Sequence, residues 1–170
     1  MLRHVVVPLD GSPLSELALG YAEDVTAPNG KITLVSIIET PVDYEYSLVD
    51  IPLTMVMARG YNESEYNKTY RRVHDYLLTK ARSLSAKGFD VECVVESGDP
   101  ATVIADIATN RKADTIVMTT HGRTGFSKWL FGSVTQKVIS LMTTCPVMVV
   151  PGSIPEDSDE TVQSTTTATT

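Results

Sequence analysis

Between Thr120 and Val134 the chain reads THGRTGFSKWLFGSV. Gly122, Gly125 and Gly132 allow a backbone to turn its N–H groups inward and let a ligand approach closely. Arg123 and Lys128 supply cations, and Ser133 and Thr135 supply hydroxyl donors. The stretch that follows has helical spacing, so its first turn adds unpaired N–H groups and the positive end of a helix dipole. This is the chemistry of an anion cradle. The same composition also suits a long structural connection, and the residues alone leave both readings open. Asp10, in the turn PLDGSP, can accept a hydrogen bond from a base or ribose hydroxyl, or close an Asx turn ahead of Ser12. Neither the G-x-x-x-x-G-K-[ST] phosphate loop nor the G-x-G-x-x-G dinucleotide fingerprint occurs.

The elements that must hold these residues alternate. His4–Asp10, Lys31–Glu39, Phe89–Gly98, Asp114–Thr120 and Cys145–Pro151 are short apolar runs that predict buried strands. Leu14, Leu17, Ala18, Tyr21, Ala22 and Val25 make a helical stripe behind Ser12 as cap, and Pro28–Gly30 breaks it. A second helix ends at Gly88, with Tyr66, Tyr70, Val73, Leu77, Ala81 and Leu84 as its apolar stripe. A third follows Asp99 and Pro100. A fourth is predicted over Ser133–Thr144, with Ser133 and Gln136 at capping-box spacing. Residues 40–60 read as a long excursion of the kind that is functional or mobile. The pattern predicts an α/β fold, a doubly wound three-layer sandwich with a parallel sheet covered on both faces. Ligands of such sheets bind outside the carboxyl ends of the strands, where the winding reverses.

Composition narrows the classes. The 170 residues carry 21 acidic and 14 basic side chains, a net charge of −7, which argues against nucleic acid as partner. Cys93 and Cys145 sit in apolar runs and are expected as buried free thiols, since no metal-ligand or disulfide framework accompanies them. No signal-like segment or membrane-length apolar run is present, so the expectation is a cytoplasmic protein with no membrane insertion. Residues 1–151 are expected as one domain and 152–170 as a disordered acidic, Thr-rich tail.

The stretch MTTHGRTGFSKWLFGSVTQKVI, the following CPVMVV and the start HVVVPLDGSPLSELAL together resemble the universal stress protein family, over nearly all of residues 1–151. ATP-binding members carry Gly-x2-Gly-x9-Gly-[Ser/Thr]. Gly122, Gly132 and Ser133 match it, and Thr119 stands at the first glycine. The resemblance implies five parallel strands in order 3-2-1-4-5, the adenine nucleotide alpha hydrolase-like fold. It implies an adenine nucleotide, ATP among them, with Mg²⁺ left open. Pro8, Leu9 and Asp10 would lie beside the adenosine, with Ile37 on the base and Met118 and Thr119 on the other side. His121, Gly122, Arg123, Gly132, Ser133, Val134 and Thr135 would surround ribose and phosphates.

It also implies a homodimer through the last strand, Val147, Met148, Val149 and Val150, an edge that pairing would cover. The reading that follows is a nucleotide-binding regulatory protein of the stress response, with an unknown protein partner. Two others stay open: a dimer that acts through its surface without nucleotide, and slow ATP hydrolysis or autophosphorylation with His121, Asp10 and Ser133 as the nearby groups. His121 also reads as a loop hydrogen-bonder, and Trp129, Leu130 and Phe131 as packing anchors. Tyr44, Tyr46, Tyr61, Tyr66 and Tyr70 read as packing or as a lid, His4 as a strand-edge residue and His74 as a helix-surface residue.

Overall fold

The computed structural model describes residues 1–38, 63–120 and 132–151. Five parallel strands, β1 (Leu2–Pro8), β2 (Thr26–Ile38), β3 (Asp90–Ser97), β4 (Thr115–Thr119) and β5 (Val147–Val150), form one sheet in the order β3-β2-β1-β4-β5. Four helices connect them: α1 (Pro13–Val25), α2 (Glu63–Ala86), α3 (Pro100–Asn110) and α4 (Ser133–Leu141). The expected fold class and strand order are therefore observed.

Alternation along the strands builds two cores. Val5 and Val7 of β1 pack with Ala18, Ala22, Leu77 and Leu84 of α1 and α2. Val6, between them, packs on the opposite face with Ile104, Ala108 and Val138 of α3 and α4. The strand period of two makes this inevitable once helices cover both faces. The α1 stripe is narrower than its sequence suggests: Ala18 and Ala22 are fully buried, whereas Tyr21 is 49% exposed. On α2, Leu77, Ala81 and Leu84 are buried and Tyr70 is exposed.

The predicted break at Pro28–Gly30 is replaced by a longer strand. Thr26 ends α1, its N–H and its hydroxyl (2.6 Å) both bonding the Ala22 carbonyl, and pairs at once with Leu2 of β1. The register then jumps from Leu2↔Thr26 to His4↔Lys31, so Pro28, Asn29 and Gly30 form an irregularity inside β2. Gly30 is required there, because a Cβ would meet Thr26 Cγ2 at 2.6 Å and the Ala27 carbonyl oxygen at 2.8 Å. At its other end α4 stops at Leu141, three residues early; Met142 is already extended, and Pro146 disfavours helix just before it.

Two further expectations change. Cys93 and Cys145 are free but half-buried, with burial pushing both thiols up from their ordinary pKa. His4 lies on the central strand, not at an edge. Its Nε2 is 2.8 Å from Thr33 Oγ1 and its Nδ1 3.2 Å from the Arg111 carbonyl. His74 is half-buried and stacks on Tyr70 at 5.9 Å.

Candidate functional site

The winding reverses at β1: the chain passes to β2 on one side and reaches β4 on the other. The carboxyl ends of β1 and β4 thus diverge into different connections, which opens a crevice between them.

The β1 side is held by short-range hydrogen bonds. Leu9 N–H donates to the Val35 carbonyl at 2.7 Å, and the Ser36 hydroxyl donates to the Leu9 carbonyl. Both strap the turn to β2. Asp10 Oδ1 accepts from Ser12 N–H at 2.9 Å and from Ser12 Oγ at 2.6 Å. This is the Asx turn that the sequence offered as one reading, and Gly11 completes it at φ 81°. Ser12 in turn caps α1, its Oγ accepting from Ser15 N–H at 3.1 Å. One carboxylate therefore fixes both the exit of β1 and the entry of α1.

On the β4 side Thr119 is buried at the end of the strand, paired in register with Val150. Its carbonyl accepts from the Thr135 hydroxyl at 3.0 Å. Thr120 N–H donates to the Val150 carbonyl at 3.0 Å, and Gly132 N–H donates to the Thr120 carbonyl at 2.5 Å. Thr120 and Gly132 are thus tied together, and Thr119 and Thr135 repeat the tie one layer below. These bonds bring the start of α4 to the carboxyl end of β4.

The start of α4 differs from the other described helix entries. Ser12 and Asp99 cap α1 and α3 with side-chain oxygens, but the N-cap of α4 is Gly132, with no side-chain hydrogen bond. Ser133 is the first helical residue and is exposed, so it does not cap the helix as its spacing with Gln136 suggested. Among the described residues no side chain takes up the N–H groups of this first turn. Such an entry receives an anion by backbone N–H groups and dipole together.

The remaining expected residues divide. Pro8, Asp10, Ile37, Gly132 and Val134 are half-buried around the crevice-facing ends of their elements. Leu9 and Met118 are buried in the two cores, and Ile37 and Val134 pack against the second of them. His121, Gly122 and Arg123 lie outside the described residues, as do Gly125, Lys128, Trp129, Leu130, Phe131, Tyr44, Tyr46 and Tyr61. Among the described residues no cluster of His, Cys, Asp and Glu could hold a metal ion, and no helix is long and apolar enough to cross a membrane. Sequence reasoning missed Ser36, whose only signal was a small polar residue inside the apolar run TLVSII. It also missed Glu16 and Tyr76, 60 positions apart, whose carboxylate and phenol meet at 3.0 Å.

Known proteins share this fold. A family model described as the universal stress protein family matches residues 1–151. Universal stress protein MJ0531 of Methanocaldococcus jannaschii is 30% identical over 152 residues, covering 88% of this chain and 82% of the relative. The solved structure of protein MJ0577 superposes with a TM-score of 0.71 at 25% identity, over 88% of this chain and 95% of that one. A universal stress protein in complex with cAMP has the same fold, with a TM-score of 0.58 at 23% identity, over 89% of this chain and 99% of that one. The matched residues and the common sheet lead to one conclusion: the chain belongs to the universal stress protein family.

Proposed function

We propose that the protein is an adenine-nucleotide-binding regulator of the stress response, a cytoplasmic homodimer whose domain spans residues 1–151 ahead of a polar tail. The observation that carries this is the pairing of two features at the sheet's switch point. One is an acceptor, Asp10, fixed at the exit of β1; the other is a helix entry, α4, with no capping side chain among the described residues. The first suits a ribose or base and the second suits a phosphate. A relative of the same fold was solved with cAMP, which is the same chemical class.

Thr119 at the first motif position fits this reading. Outside glycine, the described residues with positive φ are Asn29 and Lys112, so Thr119 has ordinary strand geometry that threonine favours. Any Mg²⁺ would arrive with a triphosphate, held by phosphate oxygens and water more than by the protein. Slow hydrolysis would need a positioned water as well as a bound nucleotide.

The test has two steps. Small molecules released from the denatured purified protein are identified by mass, and the protein is titrated with Mg-ATP, AMP and cAMP by calorimetry. A stoichiometric adenine nucleotide, or saturable heat, supports the proposal. An empty protein that gives no heat with any of the three overturns it and leaves a dimer that acts through its surface.

A further inference from the structure

The first turn of α1 is held from outside as well as from within. Glu16 reaches toward α2, where its Oε1 accepts from the Tyr76 hydroxyl at 3.0 Å and its Oε2 pairs with Lys80 Nζ at 2.6 Å. Lys80 Nζ also lies 5.5 Å from the Tyr76 ring centroid. The ring itself packs partly buried against the core that α1 and α2 share. Burial raises the phenol pKa most, followed by the Glu16 charge and the hydrogen bond to Glu16. The Ser15 hydroxyl opposes that rise, and the charge on Asp10 adds to it. Ser15 is itself wired to the turn: its Oγ donates to the Ser12 carbonyl at 2.9 Å and accepts weakly from Asp10 N–H at 3.4 Å.

We propose that Glu16 and Tyr76 are a positioning pair that couples the Asp10 turn to α2, so that occupancy of the site and the placement of α2 depend on each other. The proposal rests on the nucleotide reading above and adds its regulation. Topology supplies the route. α2 begins at Glu63, and its Tyr66 hydroxyl lies 2.8 Å from Ser97 Oγ at the carboxyl end of β3. The start of α2 and the Asp10 turn therefore lie at the same end of the sheet. Tyr76 lies ten positions along the helix from Tyr66, a rigid lever of about 15 Å. Contiguous hydrogen bonds of this kind carry coupling only if the groups respond together, and a double-mutant cycle measures that.

The same two helices hold a natural control. Lys87, just past the end of α2, pairs with Glu23 of α1 at 2.6 Å, far down the helices from Asp10. A mere helix staple would behave alike at both places. The experiment uses the full-length, isotope-labelled protein without nucleotide and compares Tyr76→Phe with Lys87→Ala by amide shifts and hydrogen exchange. Tyr76→Phe is expected to shift the amides of Asp10, Gly11, Ser12 and Ser15 and to speed exchange at Ser15 about tenfold. Lys87→Ala leaves those four amides in place. Glu16→Ala reproduces the Tyr76→Phe pattern, and Glu16→Gln, which keeps an acceptor for the phenol, restores it. With Mg-ATP added, Tyr76→Phe weakens binding about fivefold, and less than twofold when Asp10→Asn is already present. Equal shifts in Tyr76→Phe and Lys87→Ala, or additive losses in the cycle, would overturn the coupling. If no adenine nucleotide binds even the unaltered protein, the nucleotide reading fails, while the amide shifts still decide the coupling.

Discussion

Gly132 sits at φ −56° and ψ 152°, a conformation open to any residue, so the backbone does not demand glycine there. What a side chain would change is the space in front of the α4 entry. Gly132→Val is therefore expected to abolish nucleotide binding in calorimetry while the circular dichroism spectrum stays unchanged. Unaltered ATP affinity would sink the assigned site. Thr119 is the converse case. Strand geometry suits it, so Thr119→Gly is expected to gain no more than about threefold in affinity and to lose stability, as glycine does in strands. His4 gives the residue scale its pH dependence. Burial lowers its pKa from 6.5, the Arg111 carbonyl opposes this, and the Lys31 charge adds to the lowering. Its neutral form is thus favoured by folding. The associated stability is complete above 6.5, where both states are neutral, and is lost as pH falls through the lowered folded value. Urea unfolding between about pH 8 and pH 5 should show this loss, with a flatter profile in His4→Gln. Asp99 acts lower on the scale: hydrogen bonds from Lys137 and Thr102 hold it at about 2, so its share is present above 3.8 and fades as pH falls toward 2.

At the scale of elements the helix entries divide into capped and uncapped. Ser12→Ala removes the α1 cap and releases Asp10, and is expected to cost about 1 kcal/mol in urea unfolding. Ser133→Ala removes an exposed hydroxyl at a first helical position and should change stability by less than about 0.5 kcal/mol. The contrast follows from one difference in geometry. Ser12 is extended and aims its Oγ at the N–H groups, whereas Ser133 is already helical and points outward. An equal loss in the two variants would mean that Ser133 does cap α4, and that its entry is not available to an anion. The α1–α2 pair is joined at two levels, by Glu16 with Tyr76 and Lys80 and by Glu23 with Lys87. These ties are partly or largely exposed, so their strength lies in orientation more than in energy.

For the whole molecule the sheet is continuous from β3 to β5, and each end strand has an edge that no other described strand pairs. β5 is four residues of Val-Met-Val-Val, three of them half-buried. Pairing with a second copy would cover this edge, and a charge inserted there opposes such pairing. Val149→Lys is expected to convert a dimer into a monomer in sedimentation velocity, with the fold retained because Val149 is not in either buried core. A monomeric unaltered protein would overturn the proposed dimer. The core responds differently. Leu77→Ala empties a fully buried site beneath α2 and should cost about 2–5 kcal/mol.

The sequence by itself determined the number and order of the main strands and helices along the chain, because their signals are local. β-branched runs, Ser12 ahead of Pro13 and Asp99 ahead of Pro100 all act within a turn or a strand, and all appear in the structure as read. The Asp10 turn was legible for the same reason, its partner being two residues away. The lateral order of the strands came from family resemblance, since no short-range force records which strand lies beside which. Tertiary structure decided the rest. Thr26 joined β2 because Leu2 was there to pair with it, and Gly30 mattered because that pairing crowds it. Ser133 lost its expected role because ties to Thr119 and Thr120 place Gly132 at the helix entry. Glu16 and Tyr76 lie 60 positions apart, each unremarkable on its own helix, and only the packing of α1 against α2 brings carboxylate and phenol within a hydrogen bond.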